Sequence, residues 1–458
     1  NHTHASGTAE MSVFDKIVPG YYHRLNMDGF VETSTCCQNT ATEHYMMERF
    51  MVDDVVHWAT DFKIDGFRFD LMGHHMKSNM VKVREALDAL TMEKDGVDGE
   101  AIYVYGEGWD FGEVQGGRRG VNATQHNMAG TGIGTFNDRI RDAVRGGSAF
   151  SDRRDRGFAT GQTDRMAMLR AADRIRVGMA GNLKNYRFTD ATGRPVMGSF
   201  DGVGYALDPQ EALTYVSAHD NETFFDKIQY AAPSSASMDD RVRMQMVAMS
   251  VTAFTQGIPF FHAGVDMLRS KSMDADSYNS GDWFNKLDFT YQSNNFGVGL
   301  PIAEKNRDRW NIIRPILGNE EITPGPSHIS MTVEHMKEIL AIRKSTPLFR
   351  LRTGDDVRSR VAFWNTGRDQ VPGLIVMSVS DEVEGKPDLD PEHRSLVVVV
   401  NAGSQGVSFQ DDAFEDRAFV LHPVFTESND AVVRGAEYES NGTFVVPGRT
   451  TAVFVEPE

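Results

Sequence analysis

The chain has 458 residues, a length that allows one large domain and a smaller one. Its net charge of −18 argues against nucleic acid and anionic membrane surfaces as partners, because both would repel an acidic protein. Hydrophobic residues make up 40% of the chain, yet no run reaches the roughly 18 apolar residues that a membrane-spanning helix needs.

The first forty residues are polar and rich in turn formers, and they are predicted to form a long loop. Thr40 and Glu43 have the spacing of a capping box at the start of a helix. The apolar face predicted for this helix consists of Met47, Phe50, Met51, Val55, Trp58 and Phe62.

Short strand patterns then alternate with helix patterns. Strands are predicted at 64–70, 102–106, 131–136, 214–217 and 258–261, and helices at 76–92 and 241–255. This alternation indicates an α/β fold with a parallel sheet, either doubly wound or a (β/α)₈ barrel. The chain lacks a Gly-x-Gly-x-x-Gly turn and a phosphate loop, which disfavours dinucleotide binding and any organic cofactor.

The pattern changes after a helix predicted at 333–344. Short β-rich runs follow, separated by Gly, Asn and Pro, at 361–364, 374–377, 396–400, 443–446 and 451–455. Such runs are typical of an antiparallel β-sandwich. We therefore divide the chain into an α/β part, 1–346, and a C-terminal β-sandwich domain, 347–458.

Two cysteines, Cys36 and Cys37, are the only ones in the chain and are adjacent. They exclude a disulfide framework and a zinc knuckle, and they are either a vicinal disulfide or two thiols. The pairs His2/His4 and His74/His75 suggest metal ligation, but no third ligand is spaced for it along the sequence, so no metal ligands are assigned.

Asp70 ends the first predicted strand, where side-chain alternation places Arg68 and Asp70 on one face. An arginine beside a carboxylate favours its ionised form, which a glycosidase nucleophile requires. A buried structural Arg–Asp pair is the alternative interpretation.

Glu107 ends the second predicted strand between two glycines, Gly106 and Gly108, which permit close approach of a ligand or of backbone. Trp109 offers a platform of the kind on which sugar rings stack, and an apolar setting would keep a carboxyl protonated, as a general acid must be. A glutamate in an ordinary turn is the alternative.

His219, Asp220 and Asn221 follow the strand predicted at 214–217, where they could orient substrate hydroxyls. The alternative is an Asx-type turn that caps the next helix. Three strand ends that carry acidic groups in one α/β pattern favour a common site.

At these residues the chain resembles the α-amylase superfamily of glycoside hydrolases, and within it the type I pullulanase and limit dextrinase group. The superfamily has four ordered signature regions, and this chain matches the tail of the first and all of the others. The matching stretches are NHT at 1–3, GFRFDLMGH at 66–74, YGEGWD at 105–110 and VSAHDN at 216–221. Stretches 35–37, 130–139 and 277–285 resemble bacterial pullulanases in particular.

The resemblance implies roles for these residues in hydrolysis of α-1,6 linkages in pullulan, amylopectin and limit dextrins by a retaining mechanism. Asp70 would be the nucleophile, Glu107 the general acid and base, and Asp220 the transition-state stabiliser, with Asp70 and Glu107 about 5–5.5 Å apart. The residues implied to bind substrate are His2, Arg68, Trp109, Asp138, Arg141, His219, Asn221 and Asp282.

The resemblance also implies the setting of the enzyme. It implies bound calcium, an α-glucan substrate as the only partner, a monomer, and an extracellular or cell-surface location. The fold implied is the α-amylase type (β/α)₈ barrel from the end of its third strand onward. We therefore expect a C-terminal fragment of a longer pullulanase, which alone would be poorly soluble and inactive.

Two alternatives remain open at this point. One is another enzyme of the superfamily, namely an isoamylase, a neopullulanase or a branching enzyme. The other is a non-catalytic glucan-binding fragment, which the presence of all three acidic residues disfavours.

Overall fold

The structure, a computed structural model, describes residues 1–458. The helices, in chain order, are α1 (Phe14–Ile17), α2 (Tyr45–Phe62), α3 (Lys77–Asp88), α4 (Gln125–Met128), α5 (Asp138–Arg145), α6 (Arg165–Met179), α7 (Phe224–Ala231), α8 (Met238–Ala253), α9 (Asp282–Asn285), α10 (Ala303–Asn306), α11 (Trp310–Leu317), α12 (Pro326–Ser345), α13 (Gly354–Arg360) and α14 (Pro423–Thr426). None of them is long and apolar enough to cross a membrane.

The strands are short in the first half of the chain and longer in the second. In chain order they are β1 (His2–Thr3), β2 (Gln38–Asn39), β3 (Gly66–Phe69), β4 (Tyr103–Gly106), β5 (Gly134–Phe136), β6 (Arg187–Thr189), β7 (Pro195–Met197), β8 (Ala212–Thr214), β9 (Ile258–Pro259), β10 (Val361–Phe363), β11 (Leu374–Ser380), β12 (His393–Asn401), β13 (Val407–Gln410), β14 (Val420–Leu421), β15 (Glu437–Glu439), β16 (Thr443–Val446) and β17 (Thr450–Pro457).

The chain folds as two compact units. The first comprises Asn1–Phe136 and Tyr205–Leu213, and the second comprises Asn137–Gly204 and Thr214–Glu458. The division at 346/347 made from the sequence stays a prediction. Mixed α/β content, with parallel pairing in one part and antiparallel sheets in another, is observed.

A parallel sheet forms the centre of the first unit. β3 pairs with β4, β4 with β5, and β5 with β8, all parallel. α2 and α3 pack on one side of β3 and β4, because Phe67 and Phe69 of β3 contact a core that includes Met51 of α2 and Met80 of α3. The predicted alternation is thus confirmed for β3, with its phenylalanines in the core and Arg68 on the other face.

The start of α2 differs from the prediction. The helix begins at Tyr45 after His44, with no side-chain cap, and Glu43 instead pairs with the buried Arg24. The predicted apolar face also divides: Met47, Met51 and Val55 are buried, whereas Phe50, Trp58 and Phe62 are more than 40% exposed. The capping-box prediction was wrong because a long-range ion pair takes the glutamate.

The second unit carries three antiparallel sheets: β6 pairs with β7, and two larger sheets lie beyond residue 360. The larger has the strand order β10-β11-β12-β17-β14 and the smaller β13-β16-β15. Leu374, Val397 and Phe454 of the larger sheet share one core with Phe444 and Val446 of the smaller.

The central strands of the larger sheet are buried on both faces. α6 and α8 contact the face that is turned away from the smaller sheet, which explains the continuous apolar run at 396–400. Two arginines join helices to this part of the chain: the buried Arg176 of α6 donates to the carbonyl of Asn365, and the half-buried Arg243 of α8 pairs with Asp430.

Candidate active site

Two acidic side chains meet at the carboxyl ends of β3 and β4. The parallel register pairs Phe69 with Gly106, so the next residues, Asp70 and Glu107, leave the sheet side by side. Arg68 Nη1 donates a 2.6 Å hydrogen bond to Asp70 Oδ1, and Arg68 Nη2 lies 2.9 Å from Glu107 Oε1. One guanidinium therefore contacts both carboxylates.

The environments of the two carboxylates differ in access to water. The Asp70 side chain is 42% exposed, whereas that of Glu107 is 10% exposed. Glu107 Oε2 also accepts a 2.8 Å hydrogen bond from the backbone N–H of Leu71, a residue held at φ +42°. A left-handed φ is costly for leucine, and such strain is common where a backbone group is aimed at a site.

Glu107 has more polar contacts than the sequence suggested. An arginine and a backbone N–H face its carboxylate, and Trp109, expected to supply an apolar setting, is half-buried. Neighbouring backbone leaves no room for a side chain at either flanking glycine. A Cβ on Gly106 would lie 2.5 Å from the carbonyl oxygen of Phe69, and one on Gly108 would lie 2.7 Å from the amide nitrogen of Gln125.

His2 joins this group from β1. Its Nδ1 lies 3.8 Å from Asp70 Oδ2 and 2.6 Å from the Asn1 side-chain oxygen. Partial burial lowers the pKa of His2, and the Asp70 carboxylate opposes that shift. The first unit thus brings together four of the predicted residues: His2, Arg68, Asp70 and Glu107.

A buried ion network supports this region, and sequence reasoning missed it. Arg24, 1% exposed, contacts Glu43 and Glu113 and donates to the carbonyl of His74. Burial would raise the pKa of Glu113, but hydrogen bonds from Ser34, Arg24 and other donors outweigh it and lower the pKa to about 2. The only sequence signal was an arginine within a polar loop.

The paired histidines His74 and His75 are buried and have structural hydrogen-bond partners. Burial lowers the pKa of His74 to about 4 and that of His75 well below its ordinary value. His75 Nδ1 is 3.2 Å from the Thr42 hydroxyl, and His74 Nε2 is 3.2 Å from the Ser34 hydroxyl. Both therefore connect the loop to the 3₁₀ turn after Asp70.

The second unit carries the His219–Asp220–Asn221 turn. β8 ends at Thr214, three residues before the predicted end at 217, so the turn follows a longer connection. His219 and Asp220 are 61% and 68% exposed at their side chains, and His219 Nε2 lies 3.5 Å from Asp220 Oδ1. Asn221 has φ +63°, a conformation that asparagine tolerates better than most residues.

Two buried charges hold the backbone of this turn. Lys271 Nζ donates to the carbonyls of Asn221 at 2.7 Å and His219 at 3.2 Å, and burial lowers its pKa. Glu222, fully buried, has guanidinium partners from Arg145, Arg153 and Arg309. The side chain of Asp220 is thus exposed, while buried charges fix the backbone around it. Thr223, and not a residue of the 219–221 turn, caps the helix that follows.

The remaining predicted residues lie elsewhere in the second unit. Asp138 begins α5 and pairs with Arg139, while Arg141 donates from Nη1 to the Tyr215 hydroxyl at 2.7 Å. Asp282 is an exposed residue at the start of α9. No described contact joins Asp282 to the turn at 219–221.

The cysteines provide a further finding. Cys36 and Cys37 form a disulfide, which decides between the two states left open by the sequence. Their sulfur atoms lie beside His2 and His4, so tertiary structure brings together potential metal-ligating side chains that sequence spacing did not reveal. The donor atoms of His2, Cys36 and Cys37 lie within 4.8 Å of one another.

Comparisons with known proteins show what the chain is similar to. A family model described as "Alpha-1,6-glucosidases, pullulanase-type, C-terminal" matches residues 291–457. Over the whole chain, "Pullulanase 1, chloroplastic" of Arabidopsis thaliana is 50% identical and a pullulanase of Klebsiella pneumoniae is 40% identical. The chain spans 50% and 43% of the lengths of these two relatives.

Solved structures give the same result. The maltotriose complex of PulA from Klebsiella pneumoniae matches with a TM-score of 0.94 and 40% identity, over 100% of this chain and 50% of that one. A mutant pullulanase of Paenibacillus barengoltzii complexed with maltotetraose matches with a TM-score of 0.73 and 27% identity, over 97% of this chain and 56% of that one. The chain thus matches pullulanase-type proteins of the α-amylase family along its whole length, a stretch equal to about half the length of those relatives.

Proposed function

We propose that the chain carries the catalytic groups of a starch-debranching glycoside hydrolase that cleaves α-1,6-glucosidic linkages in pullulan, amylopectin and limit dextrins. The observation that carries the proposal is the contact of a single guanidinium, that of Arg68, with both Asp70 and Glu107. The family of the chain supports the linkage.

The proposed mechanism retains the anomeric configuration in two displacements. Asp70 attacks the anomeric carbon while Glu107, in its acid form, gives a proton to the departing glycosidic oxygen. Glu107 then takes a proton from water, whose oxygen replaces Asp70 at that carbon. The greater burial of Glu107 suits the proton carrier, and the exposed side of Asp70 leaves room for the sugar.

The positioning of the two carboxylates supports these roles. Arg68 and the Leu71 N–H restrict Asp70 and Glu107, so little reorganisation is needed when the sugar enters. Arg68 Nη2 is buried, and its approach to Glu107 is an ion pair without hydrogen-bond alignment. We assign to Arg68, His2 and His219 the holding of the cleaved sugar.

Further roles follow from the family. Asp220 would stabilise the oxocarbenium-like transition state, and Asn221 would orient substrate hydroxyls beside it. Trp109, Asp138, Arg141 and Asp282 would line neighbouring subsites. Asp220 and Asp282 are exposed, which suits contact with a glucan. Arg141 already donates a hydrogen bond to the Tyr215 hydroxyl.

We also infer the barrel and sandwich architecture of the chain from its similarity to pullulanases. The strands β3, β4, β5, β8 and β9 would be the last five strands of an α-amylase type (β/α)₈ barrel, and the two antiparallel sheets that begin with β10 and β13 would be a C-terminal β-sandwich. The parallel order of the first four and the shared core of the two sheets support this assignment.

Calcium enters no step of this mechanism. The cluster of potential ligand side chains that the structure brings together offers imidazole and sulfur, whereas calcium prefers six to eight oxygen ligands. That cluster does not fit calcium. Metal analysis of the purified protein tests for a calcium site built from backbone and amide oxygens.

The experiment is product analysis on pullulan by the whole protein, as wild type and as Asp70→Asn and Glu107→Gln, because the 458-residue chain alone is expected to be inactive. Maltotriose is the expected product, panose would indicate a neopullulanase, and new branches would indicate a branching enzyme. Each variant should lose at least about 10³-fold in kcat while retaining pullulan binding. Undiminished hydrolysis by Asp70→Asn would overturn the proposal. Gel filtration and detection in the culture medium test the monomer and the extracellular location.

A further inference from the structure

Two cysteines and two histidines that are distant in the sequence meet at the surface of the first unit. β1 pairs antiparallel with β2, with His2 opposite Asn39, and this pairing places the segment at 36–37 beside the segment at 2–4. Cys36 Sγ lies 3.6 Å from His2 Nε2, and Cys37 Sγ lies 3.4 Å from His4 Nδ1. We call these four residues the Cys–His cluster.

Two distances between donor atoms match an edge of a tetrahedral metal site, and the donor atoms of His2, Cys36 and Cys37 lie within 4.8 Å of one another. His4 lies outside that group of three and would complete the site from its position beside Cys37. Bonds of about 2.3 Å from zinc to sulfur and about 2.0–2.1 Å to nitrogen imply a sulfur–nitrogen edge of about 3.6 Å in a tetrahedron. Both sulfur–nitrogen distances in the Cys–His cluster are close to that edge. Thiolate and imidazole donors select zinc or cuprous ions over calcium and magnesium.

We propose that the Cys–His cluster binds a thiophilic cation, such as Zn²⁺, once its disulfide is reduced. Reduction by a trialkylphosphine consumes one water: the phosphine becomes its oxide and the disulfide becomes two thiols. Each thiol then releases a proton to solvent as its sulfur bonds the metal. The oxidised pair has no thiolate to offer and leaves only the two imidazoles.

The position of the site gives metal binding a consequence. The Nε2 atom of His2 faces Cys36, and its Nδ1 atom faces Asp70. The same imidazole therefore links the Cys–His cluster to the proposed nucleophile. A metal ion bound to Nε2 would place a positive charge on His2 and fix the imidazole ring beside Asp70, the proposed nucleophile. Zn²⁺ should therefore inhibit the reduced protein and spare the oxidised one, a consequence that rests on the proposed function, unlike binding itself.

The test is a calorimetric titration of the 458-residue chain with Zn²⁺, after phosphine reduction and in the disulfide form. We expect one equivalent to bind the reduced chain and at least about tenfold weaker binding to the oxidised chain. Cys36 and Cys37 are the only cysteines of the chain, so a thiolate-to-metal charge-transfer band with Co²⁺ reports this site alone. Ca²⁺ should neither produce this band nor displace Co²⁺ from the site.

Matched variants locate the site. Cys37→Ser and His4→Ala should each weaken Zn²⁺ binding by more than about tenfold, because loss of a ligand exceeds the effect of losing an outer partner. The control is His57→Ala, an exposed histidine of α2 that pairs with Asp61 and should leave the titration unchanged. Binding that neither reduction nor Cys37→Ser alters would overturn the proposal.

A second measurement needs no variant. Zn²⁺ should slow maleimide alkylation of the reduced wild-type chain at least about tenfold, and Ca²⁺ should not. Equal alkylation rates with and without Zn²⁺ would contradict the site even if the variants fail to fold. Absence of glucosidase activity in the whole protein, together with binding of one Zn²⁺ by the reduced chain, would refute the proposed function and leave the metal site standing.

Discussion

Arg68 Nη1 lies 2.6 Å from Oδ1 of Asp70, two residues further along the chain. Because the same guanidinium also lies 2.9 Å from Glu107, Arg68 holds the two carboxylates at one location. A lysine has a single compact ammonium and cannot span two carboxylates in this way.

Replacement of Arg68 by lysine should therefore impair catalysis more than folding. In the whole protein, to which the kinetic predictions here and below refer, we expect Arg68→Lys to lower kcat on pullulan by about 10²-fold or more, the effect of losing one positioned donor. The change in melting temperature should be small. Steady-state kinetics and thermal unfolding measure both. The control is Arg154→Lys, an exposed arginine paired with Asp152; a similar loss of kcat in the control would contradict the specific role of Arg68.

Lys271 should act on Asp220 through the backbone. Lys271→Met keeps the length of the side chain but removes the donors to the carbonyls of His219 and Asn221. We expect kcat to fall about tenfold or more with KM changed less, because a displaced Asp220 stabilises the transition state poorly. Lys344→Met, at an exposed position of α12, is the control. Equal kcat values for the two variants would exclude a positioning role.

Glu113 predicts a pH dependence of stability. Its pKa is lowered from 4.5 to about 2 in the folded protein, so its stabilising effect is complete above about pH 4.5 and is lost as pH falls toward 2. Glu113→Gln should cost about 3 kcal/mol of unfolding free energy at pH 7, because Arg24 loses a buried partner.

The difference between wild type and Glu113→Gln should shrink as pH falls from 4.5 toward 2. Chemical denaturation at several pH values measures it. Glu93→Gln, at an exposed position, should show no comparable trend. A difference that grows on acidification would contradict the assigned direction.

Gly108 should tolerate no side chain. A Cβ there would lie 2.7 Å from the amide nitrogen of Gln125, so Gly108→Ala must move backbone next to Glu107. We expect a loss of about 1–3 kcal/mol in stability and a lower kcat. Gly435→Ala, whose nearest contact would be 3.9 Å away, is the control, and a stable, fully active Gly108→Ala would refute the steric argument.

Much of the site could be predicted from local pattern. The strands at 64–70 and 102–106 were found because β-rich residues stand between polar boundaries, and the structure has strands at Gly66–Phe69 and Tyr103–Gly106. Alternation along the first then placed Arg68 and Asp70 on one face. The strand predicted at 214–217 lies at Ala212–Thr214, because apolar residues continue past the last ladder hydrogen bond.

The amino-acid sequence by itself determined which strand ends carry acidic groups and where the parallel and antiparallel parts lie, because periodicity and turn residues act over a few positions. Only the tertiary structure decided that Arg24 takes Glu43 from a helix cap, that Lys271 holds the turn at Asn221, and that Cys36 meets His2. Strand pairing and the pairing of buried charges determine which side chains meet across tens of residues. Neither can be detected from the spacing of residues along the sequence.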